Sequence, residues 1–296
     1  MGGGSTMAYR FGPVVVGVDG SEHSVGALRW AAEQAHQYTR TLIALSVLPE
    51  SPSPPPGPSR DRDVAAEAAA EARRWRVGVA AVGTTEVGRP VAVLRRHARD
   101  ARLLVVASRG TGGRALGSVT EALGVRADCP VLIVHDAQRW AAPDAVLPRK
   151  GPVVVGYDGS ASARRALRVA FEEAAGRGSR LVVVRAWHHP DLWRPGRSRC
   201  CDLTSDEAAV RGGLHEAAAP WRARFPHVDV EVRGERGQAA EALTVVSQWA
   251  ALMVLGTRCP DDTEQPANPS VMRRVLERAA CPVLVAHSPP GGPGFR

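Results

Sequence analysis

The segment Val14-Val-Val-Gly-Val-Asp-Gly-Ser21 returns as Val153-Val-Val-Gly-Tyr-Asp-Gly-Ser160, an offset of 139 residues with seven of eight positions unchanged. Two more pairs follow in the same order. Leu103-Leu-Val-Val-Ala-Ser-Arg109 returns as Leu252-Met-Val-Leu-Gly-Thr-Arg258 at an offset of 149, and Cys129-Pro-Val-Leu132 as Cys281-Pro-Val-Leu284 at 152. A period this long means a duplicated domain, because solenoid units repeat every 20–50 residues or so. With 296 residues, each copy has about 150, enough to bury a core of its own.

Within each copy, short β-branched runs alternate with longer Ala/Arg/Glu-rich stretches, the pattern of βαβ units around a parallel sheet. Strands are expected near 13–18, 41–48, 84–87, 103–107 and 131–134, and again near 152–157, 181–186, 228–233, 252–256 and 282–286. The first helix, near 22–38, places Leu28, Ala31, Ala32 and Ala35 on one face, the stripe that buries against a sheet. Asp61 is read as the start of an Ala-rich helix. Pro90 suits the first turn of another, where its missing N–H was unpaired anyway. In the second copy, helices are expected near 161–177, 204–224, 238–250 and 270–279.

The domains are therefore expected at 13–135 and 152–287. An interdomain linker is expected over 136–151, with Pro143, Pro148 and Gly151 as breakers. Disordered termini are expected at 1–12 and 288–296, the first six residues being Gly/Ser-rich without periodicity. The Pro-rich stretch from Ser51 to Ser59 and the Pro/Arg/Gly-rich stretch from His188 to Asp202 follow the second strand of their copies and read as equivalent surface loops.

The formal charge of +8 and pI near 10.0 raise the question of nucleic acid, which gains affinity from basic proteins by counterion release. Here the arginines are scattered among acids, Lys150 is the sole lysine, and no basic run or helix-turn-helix pattern occurs, so no dedicated nucleic-acid site is expected. No apolar run approaches the length of a membrane span, and the first residues lack a secretory pattern, so a cytoplasmic location is expected. The five cysteines (Cys129, Cys200, Cys201, Cys259, Cys281) have no C-x-x-C spacing. They read as reduced thiols, with no metal site assigned.

In an open parallel sheet, ligands bind beyond the carboxyl ends of the strands where strand order reverses. That directs attention to Gly17–Ser21, Ser46–Leu48 and, above all, the run from Ala107 to Thr120, which carries Gly110, Gly112, Gly113 and Gly117 before a helix. Two readings fit this run. Glycines and a helix N-terminus can cradle an anion with backbone N–H groups, or the run is an ordinary turn with Ser118 as helix cap. Asp19 and Asp158 are ambiguous in the same way, as helix caps or as partners of a ribose hydroxyl or Mg²⁺. No P-loop, H-E-x-x-H or G-x-S-x-G pattern occurs, so the chain is read as a non-enzyme, with slow ATP hydrolysis or autophosphorylation as the most it would carry.

Taken together, the V-G-x-D-G-S opening, the V-x-[AG]-[ST]-R run, the Gly117-Ser118-Val-Thr120 helix start and the C-P-V entry resemble the universal stress protein family over both copies. The resemblance implies two tandem adenine nucleotide α-hydrolase-like α/β domains, each a five-stranded parallel sheet sandwiched by helices. It also implies a stress-response regulatory or signalling module. Members that bind ATP carry a G-x2-G-x9-G-[ST] loop. Here the pattern falls on Ala107, Gly110, Gly117 and Ser118 with a six-residue spacer. In the second copy it falls on Gly256, Cys259, Pro269 and Ser270 with the full nine.

The resemblance thus implies a first-copy site in which Gly17, Val18 and Asp19 face adenosine and Val47 contacts adenine through its backbone. Gly110, Gly117, Ser118 and Val119 would hold phosphates, with Ala107 at the loop start and Arg109 and Arg114 adding charge. The expected ligand is ATP, with or without Mg²⁺, in the first domain only. In the second, Pro269 lacks a donor N–H, Cys259 adds a side chain, and Asp261, Asp262 and Glu264 add negative charge. The alternative is a nucleotide-independent scaffold acting through unnamed protein partners. The family further implies that Val131–Val134 and Val283–Ala286 pair within the chain as a pseudo-dimer, with homodimerisation a further expectation.

Overall fold

Val14, Val15 and Val16 have no exposed surface at all, as expected of a strand covered by helices on both faces. The computed structural model describes residues 11–50, 63–109, 116–141, 147, 151–187, 203–257 and 269–287. They form two compact units, one built of the described residues within 1–147 with 257 and 282–287, the other of those within 151–256 and 269–281.

In chain order the first unit contains β1 (Val14–Val18), α1 (Glu22–Tyr38), β2 (Leu42–Leu48), α2 (Val64–Trp75), β3 (Ala81–Val87), α3 (Pro90–Ala98), β4 (Leu103–Ala107), α4 (Ser118–Arg126), β5 (Val131–Val134) and α5 (Ala137–Ala141). The second contains β6 (Val153–Gly156), α6 (Ala161–Arg177), β7 (Leu181–Trp187), α7 (Leu203–Arg224), β8 (Val230–Arg236), α8 (Ala239–Val246), β9 (Leu252–Gly256) and α9 (Pro269–Arg278), and the chain's last strand, β10 (Val283–Ala286), belongs to the first unit. Among the described residues no helix is long and apolar enough to cross a membrane.

The first unit's sheet runs β3-β2-β1-β4-β5-β10, parallel throughout except at its last pair. There Val283, Leu284 and Val285 face Ile133, Leu132 and Val131 antiparallel, the pairing expected of the two fifth strands. The second unit orders its strands β9-β6-β7-β8, all parallel. Both copies build outward from their first strand in the same way, because each first strand pairs with its second and fourth.

The helix ends are set by local chemistry. Ser21 caps α1 by accepting from the Ser24 N–H, and Ser160 caps α6 by accepting from the Ala163 N–H. The neighbouring aspartates do not cap these helices: the Oδ1 atoms of Asp19 and Asp158 accept from the N–H of Ser21 (3.0 Å) and Ser160 (2.9 Å), orienting the serines that do. The cap of α2 is Asp63, two residues beyond Asp61, and α3 opens on Pro90 as expected.

The stretch 136–151 opens with α5, where the tertiary contacts that hold a five-residue helix are visible. Trp140 meets Trp30 edge to face at 6.0 Å, its indole N–H donates to the His135 carbonyl, and Arg29 donates to the Trp140 carbonyl. Gly26 makes this approach possible, since a Cβ there would stand 1.8 Å from the Ala137 oxygen. Of the stretch 1–12, residues 11 and 12 are among the described residues. Phe11 lies under the Arg40 guanidinium, and Gly12 packs so closely on Asp100 that a Cβ would stand 2.0 Å from its carbonyl oxygen. The tail 288–296, the two long loops and residues 1–10 lie outside the described residues.

Cys129 and Cys281, at matching positions before β5 and β10, are both buried. Burial pushes the Cys281 thiol up to about 12 and raises Cys129 as well. A group whose pKa is raised by folding holds its proton longer in the native state, so its contribution is complete below the unfolded value and fades as pH climbs toward the folded one. Stability should therefore fall above pH 9, by up to about 1.4 kcal/mol per pH unit for each thiol. Urea unfolding at pH 8, 9 and 10 checks this. The slope should shrink in Cys129→Ala/Cys281→Ala, and an unchanged slope would refute the assignment.

Candidate functional site

Strand order in the first unit reverses between β1 and β4, so their carboxyl ends flank a crevice at the switch point. On the β1 side, Gly17 and Val18 end the strand, Asp19 is exposed, and Gly20 turns the chain with φ of +77°, in the left-handed region that favours glycine. Asp19 Oδ1 accepts from both the N–H and the hydroxyl of Ser21, so the turn is tied to the start of α1.

On the β4 side the ends of the loop are fastened together. The Ser108 N–H donates to the Val134 carbonyl, the Gly117 N–H donates to the Ser108 carbonyl at 2.9 Å, and the Thr120 hydroxyl donates to the Ala107 carbonyl at 2.8 Å. These bonds hold the N-terminus of α4 against the end of β4. The cap position is Gly117, in extended conformation (φ −65°, ψ 145°), and Ser118 is the first helical residue. The expectation that Ser118 caps the helix is thereby corrected. Gly117 has no side chain with which to satisfy the first turn's N–H groups.

Of the sequence-derived residues, Gly17, Val18 and Asp19 lie at the end of β1, and Ala107, Gly117, Ser118 and Val119 lie at the end of β4 and the start of α4. Val47 is half-buried on β2; because Val18 pairs with Ser46, it stands level with Asp19. Arg109 is exposed. Gly110, with Arg114, lies outside the described residues.

Three residues not singled out from sequence border the same edge. A Cβ on Gly20 would meet the Val64 side chain at 3.6 Å, so the first turn of α2 stands beside the β1–α1 turn. The Oδ1 of Asp63 accepts from the Ala66 N–H (3.1 Å) and the Thr85 hydroxyl (3.3 Å), and Thr85 pairs with Ser46. These residues lie more than forty positions from Asp19, and only the sheet brings them near. One step along β3, Glu86 is engaged by Arg96 and by His97 Nε2 at 2.7 Å. Burial, and after it Arg96, hold the His97 imidazole below its ordinary range, with Asp100 pulling the other way.

The second copy repeats the first turn: Asp158, Gly159 (φ +86°) and Ser160 match Asp19, Gly20 and Ser21. Gly256 packs against the start of α6, where a Cβ would stand 2.3 Å from the Ser162 oxygen. Here the close approach of glycine serves helix packing. Pro269 opens α9, and Cys259, Asp261, Asp262 and Glu264 lie outside the described residues.

The model of the universal stress protein family matches residues 10–135 and 151–287. This chain belongs to the universal stress protein family. It is the tandem form, with the family's domain present twice. A universal stress protein of Mycobacterium tuberculosis is 34% identical over 294 residues, an alignment covering 92% of this chain and 95% of that one. One of Mycobacterium bovis is 32% identical over 297 residues, covering 92% and 96%. The crystal structure of a universal stress protein from Archaeoglobus fulgidus superposes with a TM-score of 0.66 at 19% identity, covering 95% of this chain and 98% of that one, a likeness of fold.

Proposed function

We propose that this universal stress protein is a regulatory module of the stress response that binds ATP, with or without Mg²⁺, in its first domain (13–135). The second domain (152–287) would keep the fold without a working nucleotide site. The observation that carries this reading is the pair of bonds from Gly117 and Thr120 to the Ser108 and Ala107 carbonyls. They place a helix N-terminus, uncapped by any side chain of Gly117, beside the β1 turn that holds Asp19. The N–H groups and positive dipole end suit a polyphosphate, and Asp19 and Val47 are level with each other for the nucleoside. The module acts by signalling occupancy to protein partners, and catalysis would not exceed slow ATP hydrolysis or autophosphorylation.

Equilibrium titration with labelled ATP tests the reading when wild type is compared with Gly117→Asp. Aspartate is a favoured N-cap, so the variant should keep or slightly raise its Tm. Its carboxylate would occupy the anion's place and weaken ATP binding at least about tenfold, since a charge-assisted contact is replaced by repulsion. Binding unchanged by the substitution would refute the site. No binding by the wild type would favour the nucleotide-independent scaffold.

A further inference from the structure

We infer that Asp63 reads the base, its second carboxylate oxygen accepting from the exocyclic amine of a 6-aminopurine and turning away a 6-oxopurine. This rests on the nucleotide reading above and extends it to a specificity residue. Along the carboxyl edge the strands follow the order β4, β1, β2, β3, each step adding about 4.8 Å. With phosphates at the start of α4, the nucleoside over β1 and the base over Val47 of β2, the outer edge of the base comes to β3 and the first turn of α2. The side chains there are those of Thr85 and Asp63.

Asp63 is exposed, and both of its hydrogen bonds fall on one oxygen: Oδ1 accepts from the Ala66 N–H and from the Thr85 hydroxyl. Oδ2 has no partner among the described residues, while the carboxylate plane is held from two directions. Of the carboxylates on β3 and the first turn of α2, Glu86 is already engaged by Arg96 and His97. An ionised carboxylate only accepts. The adenine 6-position donates and the guanine 6-position accepts, so a fixed free carboxylate oxygen favours the first and repels the second. Sites built around such a polar contact reject the mismatched analogue strongly.

The test uses the full chain and measures ATP and GTP binding by competition, with Mg²⁺ and again in EDTA. Asp63→Asn retains the oxygen that caps α2 and places an amide N–H₂ where Oδ2 was. ATP binding should weaken about tenfold, the scale of a hydrogen bond to a charged group, while GTP binding strengthens. Asp63→Ser also retains a cap and should weaken ATP without improving GTP. Wild-type ATP binding with an unchanged ATP/GTP ratio in Asp63→Asn would overturn this inference alone. An effect of Asp63→Asn that disappears in EDTA would make Asp63 a metal ligand and overturn it too. Failure of the wild type to bind ATP would remove both this inference and the nucleotide reading.

Discussion

Glu173→Ala is expected to cost about 3–5 kcal/mol, the usual effect of removing one partner from a buried ion pair. It should lower the Tm by about 10 °C. Glu173 and Arg177 lie one turn apart on α6 with side chains only 5% and 11% exposed, and the Nε and Nη2 of Arg177 both donate to the same Glu173 oxygen at 3.2 Å. Removing the carboxylate takes two charge-assisted bonds from a guanidinium that is only 11% exposed. The first copy suggests the remedy. Helices α1 and α6 have the same length, begin after Ser21 and Ser160, and end at left-handed residues Thr39 and Gly178. In that shared frame Gln34 and Tyr38 occupy the places of Glu173 and Arg177. Glu173→Gln/Arg177→Tyr, which removes both buried charges together, should therefore recover at least half of the loss. Thermal melts of the single and double variants decide the matter, and a single variant as stable as wild type would show that the pair is solvated.

Gly83→Val should destabilise by about 1–3 kcal/mol, the range for overpacking a filled core, although valine is the better strand former. A Cβ at Gly83 would stand 2.5 Å from the backbone carbon and oxygen of Ala65 and 2.6 Å from the nitrogen of Ala66. These are backbone atoms, so no side-chain rotation can relieve the clash and α2 must move off the sheet. Ala65, Ala68, Ala69 and Ala72 form the buried face of that helix, and their small size is what lets it lie so close. Since Asp63 and Val64 begin α2, the displacement should also weaken ATP binding, which makes the variant informative twice. Urea unfolding checks stability and nucleotide titration checks the site. A variant of full stability would mean that α2 stands further from β3 than the contact distances imply.

Much of this was legible in the residues. The strands near 103–107 and 131–134 fall where β4 and β5 are found, because their apolar runs are buried on both faces and need no partner to be recognised. Asp19 and Asp158 were read as caps or as ligand partners, and only the distances showed that Ser21 and Ser160 cap while the aspartates orient them. Helix α5 was missed, although a signal existed in the comparison of the copies. Gly26 and Trp30 replace the Arg165 and Val169 of the second copy, a notch and an anchor on an otherwise equivalent helix. Asp63, Thr85 and Val64 could not be joined to Asp19 from sequence, because no local period connects residues that meet only through a sheet.

By itself, then, the order of amino acids determined a duplicated α/β domain, the place of its ten strands and most of its helices, the family and the loop most suited to an anion. These are consequences of hydrophobic period, chain punctuation and repetition, all of which act over a few residues. The family resemblance implied that the last strand pairs with β5; tertiary structure alone decided that five residues of 136–151 fold onto α1 and that the first turn of α2 stands beside the β1–α1 turn. Each depends on whether two distant backbones can come within contact, and that is set by the absence of a Cβ at Gly26 or Gly83 and by which strand edge remains to be paired.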